Sequence, residues 1–173
     1  MTIKQTKRNL SHITIPGLAY HLTFALKAGR LSAEEIKLVL DHIRAGDPEF
    51  YELFAAAVMP NHVHVLLQPR PGVELVRIVK GMKGASARKI NQARGAKGQV
   101  WKEECYDRIV RDQEDFAVKV QYILNNPAKA GLVKDGLQYE GMYIKSAQSA
   151  QARMPAPLQE KPAPLQEKKN LIS

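Results

Sequence analysis

Two apolar runs that almost touch constrain this chain most. Phe50 to Met59 and His62 to Gln68 are rich in Val, Leu, Phe and Ala, and only Pro60-Asn61, a pair suited to the centre of a turn, separates them. Segments of this length joined so closely pair as a β-hairpin. Around the hairpin, Tyr20 to Leu26 reads as a short strand. Ser32 caps a helix that runs to about Arg44, with Glu34 and Glu35 in its first turn, and Gly46-Asp47-Pro48 ends it. Val73 to about Asn91 has helical periodicity, Tyr106 to Arg111 reads as a fourth strand, and Gln113 to Asn125 is a strongly periodic helix capped by Asp112. The order β-α-β-β-α-β-α predicts an α+β fold of the ferredoxin-like, split βαβ kind, with an antiparallel sheet and an added C-terminal helix.

A chain of 173 residues suffices for one domain with its own core. We expect a basic arm over residues 1–14, a folded body over 15–145 and a tail over 146–173. The tail repeats PAPLQEK at Pro155 to Lys161 and Pro162 to Lys168, too short and proline-rich for a solenoid or coiled coil. It carries four basic and two acidic residues, so most of the net charge of +9 belongs to the body. That charge, with a pI near 9.7, favours a polyanionic partner, nucleic acid first and an anionic membrane surface second. The longest apolar runs fall far short of the roughly 20 residues a spanning helix needs, and the first ten residues lack the apolar stretch of a secretory signal. A cytoplasmic location and no membrane partner are the expectation. Cys105 is the only cysteine, which excludes an internal disulfide and cysteine-rich zinc sites, so any metal must be held by nitrogen and oxygen.

His62-Val63-His64 is the sharpest local feature, because residues two apart on a strand project to the same face and can grip one ion, while Val63, Val65 and Leu67 face the core. Two histidines on the solvent face of a hairpin also arise by chance, so the pair needs a third ligand. On the last helix Phe116, Val120, Ile123 and Leu124 form the buried stripe, and Lys119, Tyr122 and Asn126 lie together beside it. Tyr122 and Asn126, four positions apart, fall about one turn apart on one side. Pro127 disfavours helical geometry at the residue before it, which places Asn126 at the helix end, free to turn toward a neighbouring element. Two neutral imidazoles and an amide oxygen would leave the full charge of a divalent cation available to a phosphodiester. A phenol with an ordinary pKa near 10 needs such an electrophile, with Lys119 as a nearby cation favouring the phenolate. The plainer alternative is a surface tyrosine and a capping asparagine.

Arg77 to Lys102 holds eight basic residues and no acidic one. Arg77, Lys80, Lys83 and Arg88 fall on one side of a helical wheel, with Gly81 and Gly84 among them, and Leu75, Ile78, Val79 and Met82 fall on the other. These residues, Lys89, Arg108 beside the fourth strand, and Lys4, Lys7 and Arg8 of the arm are the candidate DNA contacts. Trp101 reads as a core or edge aromatic. His12, His21 and His42 have no partner at ligand spacing and are assigned to no metal. No Walker-type phosphate loop is present, so no nucleotide cofactor is indicated.

MPNHVHVLLQP (Met59 to Pro69), WKEECYDRIVRD (Trp101 to Asp112) and YILNNPAKAGLV (Tyr122 to Val133) together resemble the REP-associated tyrosine transposases, single-tyrosine HUH enzymes related to insertion-sequence transposases. The resemblance covers roughly Ile15 to Tyr143. It implies an HUH fold, a Mg²⁺ or Mn²⁺ ion held by His62, His64 and Asn126, and Tyr122 as the nucleophile that attacks single-stranded DNA beside a hairpin. The tyrosine would keep the 5′ phosphate and release a 3′ hydroxyl, conserving bond energy without ATP. Relatives work as monomers or as dimers with tyrosine and metal site on different chains, and this sequence does not choose between them. A hairpin-binding protein on the same scaffold that does not cut is the alternative. An RNA-binding module would need closely spaced sheet aromatics that are absent.

Overall fold

The computed structural model describes residues 14–145; the arm residues Lys4, Lys7 and Arg8, His12 and the PAPLQEK tail lie outside the described residues. The chain forms β1 (Tyr20–Leu26), α1 (Ala33–Ala45), β2 (Tyr51–Val58), β3 (His62–Pro69), α2 (Leu75–Arg94), β4 (Trp101–Ile109), α3 (Gln113–Lys129), a 3₁₀ turn (Gly136–Gln138) and β5 (Met142–Ile144). The strands make one five-stranded sheet in the order β4-β1-β3-β2-β5, and every pairing is antiparallel. The α+β class and the split βαβ order are as expected.

Alternation along β1 explains the layers. Tyr20, Leu22, Phe24 and Leu26 point into a core shared with α1 and α2, whereas His21, Thr23 and Ala25 point the other way. Val63, Val65 and Leu67 of β3 join the first core. On the opposite face Phe54, Ala55, Ala57 and Leu66 pack against Phe116 and Ile123 of α3. The hairpin is therefore covered on both sides, and every residue of β2 is buried. His64 is 4 % exposed, so the histidine face is not open to solvent as a two-layer hairpin would leave it.

Ser32 caps α1 through a full capping box: its hydroxyl accepts from Glu35 N, and the Glu35 carboxylate accepts from Ser32 N at 2.8 Å. Glu35 also receives Arg94 of α2, which ties the ends of the two helices. Trp101 is core: its indole N–H donates to Ser86 Oγ at 2.9 Å, and its ring meets Phe24 edge-on.

Three boundaries differ from the sequence expectation. β4 begins at Trp101 and ends at Ile109 rather than spanning Tyr106 to Arg111, because Trp101 anchors it to the core while Lys102, Glu103 and Glu104 stay exposed and hide the alternation. α3 runs through Pro127 to Lys129. Proline costs a helix one N–H bond, but Pro127 is itself buried, and the turn beyond it keeps Ala130 N–H to Asn126 O and Leu132 N–H to Pro127 O, both 3.0 Å. Asn126 thus sits inside the helix, with a fixed direction, and not at a loose end. β5, only three residues long, was not expected; it adds to β2.

Candidate active site

Strand register builds the site. Tyr106, Thr23, His64 and Ala57 form one row across β4, β1, β3 and β2, and Arg108 and His21 are paired in the row two residues on. α3 lies over β3, and Tyr122, one turn before Asn126, brings its ring to 5.3 Å from that of His64 and 5.8 Å from that of His21, both edge-on. Tyr122 is 43 % exposed. Nucleophile candidate and histidine pair therefore meet within a single chain.

The hydrogen bonds leave defined lone pairs. His62 Nδ1 lies 2.7 Å from Asn61 Oδ1, an acceptor, which places the proton on Nδ1 and frees Nε2. His64 Nδ1 lies 3.0 Å from Thr23 Oγ1 and 3.3 Å from His21 Nε2, and its Nε2 faces the Asn126 amide at 3.2 Å. Burial, then the neighbouring His62 and His21, push the His64 imidazole down to about 3. Burial, followed by Lys119 and Arg108, lowers His21 to about 4. Burial also lowers His62, against an opposing Asn126 contact. All three rings are neutral at pH 7 and keep a lone pair.

That chemistry fits a divalent cation. Two imidazole nitrogens and an amide converge, and a half-turn of the Asn126 amide would present Oδ1 beside His64 Nε2. No set of three His, Cys, Asp or Glu side chains among the described residues could hold a metal, so a cation here would depend on Asn126 as its third protein donor.

Lys119 lines the same cavity as Tyr122, but its ammonium is paired with Asp115 Oδ1 at 3.0 Å. Burial works against the Asp115 carboxylate, but the bond from Lys119, the bond from Arg111 N–H and the charges of Lys119 and Arg111 together outweigh it and lower its pKa. Lys129 holds its ammonium 5.8 Å from the centroid of the Tyr122 ring.

The expected DNA contacts divide. Arg108 stands in the Tyr122 cavity. Arg77, Lys80 and Arg88 line a groove of about 530 Å³ between α1 and α2, on the far side of the sheet. Lys89 is exposed on α2. Lys83 is turned inward, its ammonium donating to the backbone carbonyls of Lys102 and Glu103 at 2.6 and 2.8 Å, so it braces β4 against α2.

Sequence reasoning missed His21, Thr23 and Asn61. A signal existed: in a split βαβ sheet β1 lies beside β3, and alternation puts His21 and Thr23 on the same face as His62 and His64.

The model of the family described as "Transposase IS200 like" matches residues 14–126. A Haemophilus influenzae protein with the provisional name REP-associated tyrosine transposase is 24% identical over 94 residues, covering 49% of this chain and 53% of its own. The ISDra2 transposase TnpA of Deinococcus radiodurans is 37% identical over 79 residues, 42% of this chain and 54% of its own. The matches thus span about half the length of these relatives. A solved REP-associated tyrosine transposase, bound to a REP hairpin, superposes with a TM-score of 0.61 at 20% identity over 96% of this chain and 99% of that one, and shows the same fold. With the family pattern running from the start of the described body through both histidines and Tyr122 to Asn126, the chain belongs to the IS200-like transposases.

Proposed function

We propose that this protein is a single-tyrosine nuclease and strand transferase that cuts single-stranded DNA next to a hairpin. The observation that carries the reading is the meeting of Tyr122 with His64 on the wall of one cavity, with the Asn126 amide 3.2 Å from His64 Nε2. The solved relative that shares the fold is bound to a REP hairpin, and this supports a hairpin substrate here as well.

In the proposed reaction the Tyr122 oxygen attacks a backbone phosphorus. A tyrosine–phosphate bond forms as the bond from phosphorus to the 3′ oxygen breaks, and the phenolic proton is balanced by the new 3′ hydroxyl. Attack by a 3′ hydroxyl of another end reverses the step. His62, His64 and Asn126 would hold Mg²⁺ or Mn²⁺, which supplies Lewis-acid polarisation of the phosphodiester. Asn61 and Thr23 keep the two rings in the ligating tautomer and orientation. Arg108, beside His21, meets the phosphates next to the cut. Lys119, held by Asp115, lines the cavity beside Tyr122 without itself abstracting the proton.

The test mixes wild type and Tyr122→Phe with Mn²⁺ and a pool of hairpin oligonucleotides labelled at the 3′ end. Labelled protein on a denaturing gel with wild type alone, abolished by EDTA, is expected. Tight, salt-sensitive hairpin binding with no label would instead identify a non-cutting hairpin-binding protein.

A further inference from the structure

α3 covers only part of its side of the sheet. It packs on β2, β3 and β5, while over β1 and β4 the same face carries exposed Lys102, Glu104, Tyr106 and Arg108. Two cavities lie end to end there. One, of about 570 Å³, has His21, His64, Arg108 and Tyr122 on its walls; the other, of about 400 Å³, continues past Ala25, Lys102 and Glu104. Thr23 and Tyr106 border both. The result is a trough along β1 and β4 that starts beside Tyr122 and has Tyr106 where its two halves meet.

Tyr106 is 67 % exposed, a ring on a sheet face that gains little from burial within this chain. Cations stand toward both ends of the trough, Arg108 and Lys102, and Glu104 beside Tyr106 disfavours a phosphate in the middle. A ring at the centre with positive charge at either end suits a strand whose bases turn inward and whose phosphates stay on the rim. A duplex, with its bases already stacked inside, cannot use such a ring.

We propose that the β1–β4 trough is the track for the single-stranded segment leaving the scissile phosphate, and that a base of that segment stacks on Tyr106. The proposal rests on the reading of Tyr122 as the nucleophile acting on single-stranded DNA. Stacking tolerates any base, so Tyr106 contributes affinity and placement of the strand while leaving the choice of hairpin to other contacts.

The experiment uses the full chain with Tyr122→Phe as the parent, which binds without reacting. The probes are a ten-nucleotide thymidine oligonucleotide with one central 2-aminopurine and a ten-base-pair dA·dT duplex. Quenching of the 2-aminopurine on binding is expected. Adding Tyr106→Ala should raise the Kd for the single strand about tenfold and remove most of the quench. Tyr106→Phe and Tyr106→Trp should restore both, and duplex affinity should be the same throughout. The proposal is overturned if the parent does not bind the single strand, if Tyr106→Ala binds and quenches like the parent, if Tyr106→Phe loses as much as Tyr106→Ala, or if the duplex loses equally. Adduct formation by otherwise wild-type protein separates the two readings. An adduct on Tyr122 without Tyr106-dependent stacking sinks only the track, and stacking without an adduct sinks only the nucleophile.

Discussion

Replacing Gly136 with alanine should damage the active site from a distance. Gly136 opens the 3₁₀ turn that packs under the C-terminal half of α3, and a Cβ there would fall 2.9 Å from the Leu124 carbonyl carbon and closer still to its oxygen. Both obstacles are backbone, so no rotamer change relieves them. Either the turn or α3 must retreat by about an ångström, and overpacking of this kind costs about 1–3 kcal/mol. A folded body of this size loses about 4 °C of thermal midpoint per kcal/mol, so the midpoint should drop by about 4–12 °C. Leu124 lies between Tyr122 and Asn126 on the helix, and a displacement of about 1 Å at reacting groups can lower rate about a hundredfold. Adduct formation at a temperature where the variant is folded should therefore fall at least tenfold. Gly84→Ala is the control: nothing lies within 4 Å of its Cβ, and an exposed helical glycine becoming alanine should stabilise by about 1 kcal/mol. Differential scanning calorimetry and the 3′-label assay read both quantities. A Gly136→Ala midpoint within about 1 °C of wild type, with full adduct yield, would refute the claim that this turn sets the position of Tyr122.

Acid should destabilise the fold through His21 and His64. Their native pKa values, about 4 and about 3, lie below the ordinary 6.5, so between those limits the unfolded chain binds protons that the native chain does not. The stability they contribute is complete above about pH 6.5 and declines as pH falls toward 4 and then 3; equal urea midpoints at pH 7.5 and 5.0 in EDTA would contradict this. Mn²⁺ at a hundred times its Kd should stabilise wild type by about 2.7 kcal/mol, and Asn126→Ala should lose most of that gain in a thermal scan; an undiminished shift would remove Asn126 from the ligand set. Arg108→Ala should reduce the slope of log affinity against log salt for hairpin binding by about one, whereas Lys83→Met, whose ammonium is spent on β4 carbonyls, should lower stability and leave that slope alone.

Much of the site was legible because its parts are local. The hairpin follows from Pro60-Asn61 between two apolar runs, the histidine pair on one face from alternation on β3, and the placement of Tyr122 beside Asn126 from helical spacing. Other parts depend on tertiary context. His21 enters the site only because β1 and β3 are neighbours, a pairing between residues 43 apart in sequence. The start of β4 was hidden because α3 leaves its side of that strand open and no polar–apolar alternation marks it. β5 is too short to show a period and owes its conformation to the edge of β2. The basic run from Arg77 to Lys102 looked like one surface, yet the register and the helix face send Lys83 inward and place Arg77, Lys80 and Arg88 across the sheet from Tyr122. Charge counts along a sequence carry no information about which layer a side chain will occupy.

The central claim is that Tyr122 forms the bond to DNA, and the most direct test is to trap the covalent complex, digest it with trypsin and nuclease, and locate the nucleotide by mass spectrometry. The account predicts the added mass on the fragment Val120 to Lys129, which contains Tyr122 as its only hydroxyl-bearing side chain. Modification of Glu103 to Arg108, which carries Tyr106 in the same cavity, would contradict it.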